Sequence, residues 1–359
     1  MDCTTDEYFT NTQNFKETLH AFVEHKMFDM LASRLFPNTP IEELKDRLLA
    51  MENVYQFQSA FMYRGCQWVI ENTMSDFTYS GVEHLDGRPR LFVSNHRDIV
   101  LDAMMLQYIL VKQGLDTSHV VIGANLFEIP ILPLLARLNK MYSIGRGGNL
   151  REYYRCLMEL SQHLRYWVAE RGESVWIAQR NGRTKDGIDH TEPALVKMIA
   201  SSGNTEDPVD ALAAMNITPV SVSYEWEPCA ALKAREMSLS QNGSYTKAPG
   251  EDMQSVVSGI TDFKGHVHFT ICPPLTVEEL AEMSDNYVAI AALIDRRIAE
   301  GYHVWQNNRI AKQMLEGCIL DDTPEAAAFA KYVESACSQY ALGNDFRQRL
   351  LGIYAGAIQ

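Results

Sequence analysis

Between Asp86-Gly87 and Pro274 the chain alternates short apolar runs of β type with longer helical segments, and that rhythm limits the possible folds more than any other feature. The runs are Leu91–Ser94, Val120–Gly123, Met141–Ile144, Ser174–Ala178, Ile217–Tyr224 and Val267–Cys272. Asp102–Gln113, Asn149–Arg171 and Glu192–Ser201 read as helices between them. The pattern predicts an α/β fold, a mixed, largely parallel sheet flanked by helices. Upstream, Thr39-Pro40-Ile41-Glu42 joins an N-cap threonine, a first-turn proline and a capping-box glutamate, so a helix is expected from Pro40 towards Asn72. A second capping box, Thr276-Val277-Glu278-Glu279, opens a helix towards Glu300, and the Ala-, Glu-, Tyr- and Leu-rich tail reads as helical. Ser238–Gly250 reads as a loop. The expected organisation is a helical N-terminal region over 1–82, an α/β domain over 83–275 and a helical C-terminal region over 276–359.

Composition narrows the function classes. At 46% hydrophobic, 22% charged and a mean hydropathy of -0.19, the chain suits a soluble globular protein. The apolar stretch Ile129–Ala136 holds two prolines and falls well short of the roughly 20 residues that span a bilayer. Asp2, Asp6, Glu7 and Glu17 occupy a start that has no basic n-region, so a cytoplasmic protein is expected. Seven scattered cysteines, never spaced C-x-x-C, read as reduced and packed. A net charge of -14 argues against nucleic-acid binding. Yet the stretch from Arg137 to Lys185 carries ten Lys and Arg against four Glu, a local +6 that suits phosphate groups or an anionic partner as well as it suits a solvated helix face.

Chemistry concentrates in Leu91-Phe-Val-Ser-Asn-His-Arg-Asp-Ile-Val-Leu-Asp102, a strand that ends in a polar loop and opens into a helix. His96 lies just past the strand with two carboxylates, Asp98 and Asp102, near enough to orient it as a general base. His-Arg-Asp also occurs in protein kinases, but position 103 is Ala where their asparagine would stand, and no glycine-rich nucleotide loop accompanies it. No G-x-S-x-G elbow marks a serine hydrolase, and the histidines, His266 and His268 included, form no metal-ligand spacing, so no metal is expected. Two further loops follow strands: Ser143-Ile-Gly-Arg146, and Ala178 to Gly187, which holds Arg180, Arg183 and Lys185 with Gly182 and Gly187. In a parallel sheet both loops fall at the same edge as His96, where arginine forks suit a phosphate or carboxylate.

With these blocks in place the chain resembles the glycerophospholipid acyltransferases of the 1-acylglycerol-3-phosphate acyltransferase type. The resemblance spans roughly Phe92 to Pro274 and rests on four blocks in the family's order: Asn95-His96 followed by an aspartate, the strand ending at Arg146, the Asn181-Gly182-Arg183 loop, and the strand Ile217 to Ser223. It departs from the family in two places. Leu101 stands where an H-x4-D motif has its aspartate, with Asp102 next to it; Asn181 stands where an E-G-x-R block has its glutamate, with Arg183 directly after Gly182. The resemblance implies acyl transfer from a thioester of acyl carrier protein or coenzyme A to the hydroxyl of a lysophosphatidic acid-like lipid, with no cofactor beyond that co-substrate. His96 would be the base and Asp102, or else Asp98, its orienter. Backbone N–H groups at the helix start would hold the oxyanion, and Asn95, Arg146, Asn181, Gly182 and Arg183 would bind substrate. Peripheral attachment to the inner face of the cell membrane follows, with Leu126–Leu135 as a segment able to touch bilayer or acyl chain. Glycerol-3-phosphate or a lyso-amino-acid lipid are other acceptors. The amide at Asn181 keeps a second class open, a catalytically impaired protein of the same fold that binds lipid or acyl carrier.

Overall fold

Apolar residues that alternate between two faces build the centre of the molecule. In strands β2 (Leu91–Ser94) and β5 (Val175–Ala178), Leu91, Val93, Val175 and Ile177 pack into one layer and Phe92 and Trp176 into the other. All four residues of β2 are buried, which is why it reads as a continuous apolar run. The structure, a computed structural model, describes residues 12–145, 150–201, 207–240 and 245–358. With β1 (Met74–Ser80), β3 (His119–Gly123), β4 (Met141–Ile144), β6 (Thr218–Tyr224) and β7 (Gly265–Ile271), the strands form a seven-stranded sheet in the order β1-β7-β6-β2-β5-β3-β4. From β4 to β6 every pairing is parallel. Strand β7 runs antiparallel to β6, and β1 pairs parallel to β7. The sheet is thus mixed and largely parallel, as expected.

Helices Leu150–Arg165, Pro193–Ala200, Pro208–Ala213 and Tyr287–Gly301 cover one face; Tyr63–Thr73 and Leu101–Lys112 cover the other. The helices Thr12–Val23, Phe28–Leu35 and Ile41–Leu49 form a separate core in which Phe22 meets Phe28, Phe57 and Phe61 edge-on at centroid distances of 5.4–5.6 Å. Ile129, Ile131 and Leu138 are buried in that core, so the apolar run after β3 packs beneath the N-terminal helices, with the short helix Leu132–Arg137 partly buried there. At the other end, Ala230–Leu239, Gln306–Glu316, Pro324–Tyr340 and Gly343–Ala355 share a core around Phe329, Phe346 and Leu350. The thiols of Cys66, Cys229 and Cys272 are buried and free, and burial pushes Cys66 and Cys272 up to about 12, which keeps them protonated and unreactive.

Three elements differ from expectation. Helix Ile41–Leu49 begins after Pro40, and Thr39 provides no side-chain cap; it stops near Ala50, because Asn53 starts a new helix by accepting a bond from Gln56 N. That second helix then runs through a wide turn at Gln58–Met62 into Tyr63–Thr73. The capping box at Thr276 forms both of its bonds, but its helix ends at Met283 and a new one begins at Tyr287 under an Asn286 cap. Strand β1 lies inside the stretch expected to be helical.

The loop after β5 is docked on the C-terminal helix through Gly187, whose φ is +81° and where a Cβ would sit 2.4 Å from the Ile353 carbonyl oxygen. Gly187→Ala is therefore expected to lower the unfolding free energy by about 1–3 kcal/mol in a urea titration; an unchanged midpoint would show that the loop is free to shift.

Candidate active site

Strand β2 ends one residue before a loop whose polar groups are almost all engaged. Asn95, fully buried, extends the β2–β6 ladder with its side chain: Val222 N donates to its Oδ1 at 2.8 Å, and its Nδ2 donates to the Val222 carbonyl at 2.9 Å and to Asp189 at 2.9 Å. Asn95 was expected to bind substrate; its amide is instead engaged by Val222 and Asp189, as an extension of the strand.

His96 follows, with its side chain 13% exposed. Its Nδ1 lies 2.9 Å from Asp102 Oδ2, and the Trp176 ring packs edge-on at 5.9 Å. Asp102 is wholly buried in the first turn of helix Leu101–Lys112. Its Oδ2 also accepts from Arg97 N at 2.7 Å and Asp98 N at 2.9 Å, and its Oδ1 accepts from the Tyr224 hydroxyl at 2.8 Å. Burial first, and then the neighbouring Asp102 and Asp98 carboxylates, push Tyr224 well above the usual phenol range, which keeps it a donor. A carboxylate surrounded by donors accepts from the imidazole as well, so Nδ1 carries the proton and Nε2 is left with its lone pair.

Asp98 has a different task. Its Oδ1 accepts from Val100 N and Leu101 N, each at 2.8 Å, which closes the start of the helix. Its Oδ2 is buried with no hydrogen-bond partner among the described residues, and faces Gly259, where a Cβ would stand 2.3 Å away. Of the two carboxylates beside His96, Asp102 is the one in contact. The helix-start amides expected to hold an oxyanion are occupied at 97, 98, 100 and 101 by these two aspartates.

A cavity of about 410 Å³ opens beside His96 at the C-terminal ends of β3, β4 and β5. Its depth is apolar, formed by Val121, Ile144, Leu157, Leu160, Leu195 and Met198. Its rim is charged, with Arg180, Arg183, Lys185 and Lys247 beside Glu192 and Asp252. Asn181 and Gly182 line it too; Gly182 takes a φ of +80°, which turns the chain between the two arginines. Arg183 donates weakly to Ser255 Oγ at 3.4 Å, and its Nη1 has no partner among the described residues. From the run Leu126–Leu135, Leu126 reaches this cavity. Arg146, expected beside it, lies outside the described residues, whereas Gly145 lines the wall.

Behind the loop lies an ionic set that sequence reading missed. Arg97, 1% exposed, bonds Asp189 Oδ2 at 2.6 Å and approaches Glu227 at 3.6 Å; Lys233, with no exposed side-chain surface, bonds Glu227 at 2.7 Å and the Arg97 carbonyl at 2.6 Å. Burial opposes ionisation of Asp189, but the Arg97 guanidinium, with donors from Thr184 and Asn95, holds its carboxyl below the usual range. The available signal was an arginine flanked by apolar strand and helix, in a position where a charge survives only with partners.

Residues 76–203, which carry most of β1, the whole of β2 to β5, His96, Asp102 and the cationic rim loop, match the family model described as Acyltransferase. No curated protein matches this chain. Among solved structures it is similar to the 1-acyl-sn-glycerophosphate (LPA) acyltransferase PlsC from Thermotoga maritima, at 14% identity over 80% of this chain and 95% of that one, with a TM-score of 0.43. Among the described residues no helix is long and apolar enough to cross a membrane, and no group of three His, Cys, Asp or Glu could hold a metal ion.

Proposed function

We propose that this chain is an O-acyltransferase of lipid biosynthesis. In this reading it moves a fatty acyl group from a thioester of acyl carrier protein or coenzyme A to the hydroxyl of a lysophosphatidic acid-like acceptor, with His96 as the base. The observation that carries the reading is the 2.9 Å contact between His96 and buried Asp102, placed at a cavity with an apolar depth and a cationic rim. His96 Nε2 takes the proton of the acceptor hydroxyl as its oxygen attacks the thioester carbonyl; the tetrahedral intermediate then collapses, and the departing thiolate recovers that proton from the imidazolium. Asp102 holds the tautomer and offsets the imidazolium charge. With the amides at 97, 98, 100 and 101 engaged, the Ile99 N–H, on a residue lining the cavity, is a candidate backbone donor for the oxyanion. The acyl chain occupies the apolar depth, and Arg183, together with Arg146, takes the acceptor's phosphate. Acting on a membrane lipid implies peripheral attachment, at the inner face of the cell membrane for a cytoplasmic enzyme.

Incubating the protein with labelled acyl-coenzyme A or acyl carrier protein and a lipid extract should place label in phosphatidic acid. Absence of transfer from both donors to every lysolipid, with thioester binding intact, would assign the chain to the non-catalytic class. Arg183→Ala is expected to raise the acceptor KM by a factor equivalent to about 1.5–3 kcal/mol, with kcat nearly unchanged. An equal loss for acceptors with and without phosphate would remove Arg183 from the phosphate site.

A further inference from the structure

We propose that Lys233, which lies beyond the acyltransferase-matched stretch, is a positioning residue for the transfer reaction, acting on His96 through the peptide between Arg97 and Asp98. The inference rests on the acyltransferase reading above and extends the working site into the C-terminal helices. From the carbonyl of His96 to the amide of Asp98, each backbone polar group is held. Thr184 N donates to the His96 carbonyl at 2.7 Å, Arg97 N and Asp98 N donate to Asp102 Oδ2, and Lys233 Nζ donates to the Arg97 carbonyl at 2.6 Å. Lys233 alone in that group lies outside residues 76–203. It stands on helix Ala230–Leu239, which shares its core with Phe329, Phe346 and Leu350 of the C-terminal helices.

The peptide plane between Arg97 and Asp98 links the lysine to the imidazole. Its N–H, that of Asp98, donates to the same Asp102 oxygen that meets His96 Nδ1, and its C=O, that of Arg97, is fixed by the ammonium. Should the carbonyl swing, the N–H leaves Asp102, and the carboxylate loses a donor that aims it at the imidazole. An ammonium makes a stronger, shorter bond to a carbonyl than a neutral donor does. Burying it is costly, and the site compensates with Glu227 and, through Arg97, with Asp189, so two cations and two carboxylates close on one another. Packing alone is served better by apolar side chains in such a place, whereas a single loop position is served by the charge set.

The test keeps the buried charge balanced. In K233M/E227Q the donor to Arg97 is lost while the net charge of the set is unchanged; kcat should fall about 10²-fold with donor and acceptor KM within about twofold. Nitrogen NMR of the His96 ring should show the Nδ1–H tautomer giving way to a mixture. K233Q/E227Q, with a neutral amide donor in place, should recover part of both. K233M/E227L, an apolar replacement of the same pair, repeats the measurement if the first variant does not fold. Wild-type kcat and tautomer in either folded variant would overturn the proposal, as would failure of both to fold, which would assign the pair to stability. A wild-type chain without any acyl transfer would sink the functional reading instead, and the tautomer measurement would still judge Lys233.

Discussion

Replacing His96 by alanine is expected to lower acyl transfer by about 10²–10⁴-fold while leaving the fold in place. The ring makes one side-chain hydrogen bond, and Asp102 keeps three other donors when it is gone. Initial rates on purified, folded H96A decide the matter, and near-wild-type turnover would end the mechanism. Asp102→Asn should cost less than the loss of the base. The two backbone donors on Oδ2 dictate that the amide oxygen points at them, so it still accepts from Nδ1–H; the amide NH₂ then meets the Tyr224 hydroxyl, which can turn to accept. The tautomer survives and the charge opposite the imidazolium does not. A loss for D102N as deep as that for H96A would mean that the ring had flipped. Asp98→Asn retains an oxygen for Val100 and Leu101 and should be milder still; the reverse ranking would transfer the dyad to Asp98.

Asp189→Ala is expected to be the most damaging change to stability, at about 3–5 kcal/mol, because it strands a buried guanidinium. Arg97, Thr184 and Asn95 all lose their acceptor at once. The pH dependence has a defined sign. Asp189 titrates below its ordinary 3.8 in the folded protein, so its contribution is complete above that value and is lost progressively as pH falls from there through the lower folded value. The gap between wild type and D189A in urea titrations should therefore be widest near neutral pH and narrow in acid. A gap independent of pH would show that Asp189 acts by packing rather than by charge.

Six of the seven strands were legible because each spells a short apolar or alternating run: β2, β3, β5 and β6 are buried almost throughout, and β4 and β7 in part. Strand β1, Met-Ser-Asp-Phe-Thr-Tyr-Ser, was not: it is an edge strand, paired with β7 alone, and its side chains are mostly exposed or half-buried. The pairing of His96 with Asp102 was open to a sequence argument because one turn of chain holds both. Tyr224, Asp189, Glu227 and Lys233 converge on the same loop from as far as 136 residues away, and no local pattern encodes such a meeting. The role of Asn95 was hidden for a related reason, since its adjacency to His96 suggested chemistry where its partners on β6 make it part of the sheet.

The position of β2 has a consequence for dissecting the protein. It sits between β5 and β6, and β6 begins at Thr218, past residue 203 where the acyltransferase match ends. A fragment cut at that boundary would leave the most apolar strand of the sheet with one row of amides and carbonyls bare, a template for pairing with a second fragment. Expressed alone the matched segment should form aggregates, and the autonomous piece must extend at least through β6.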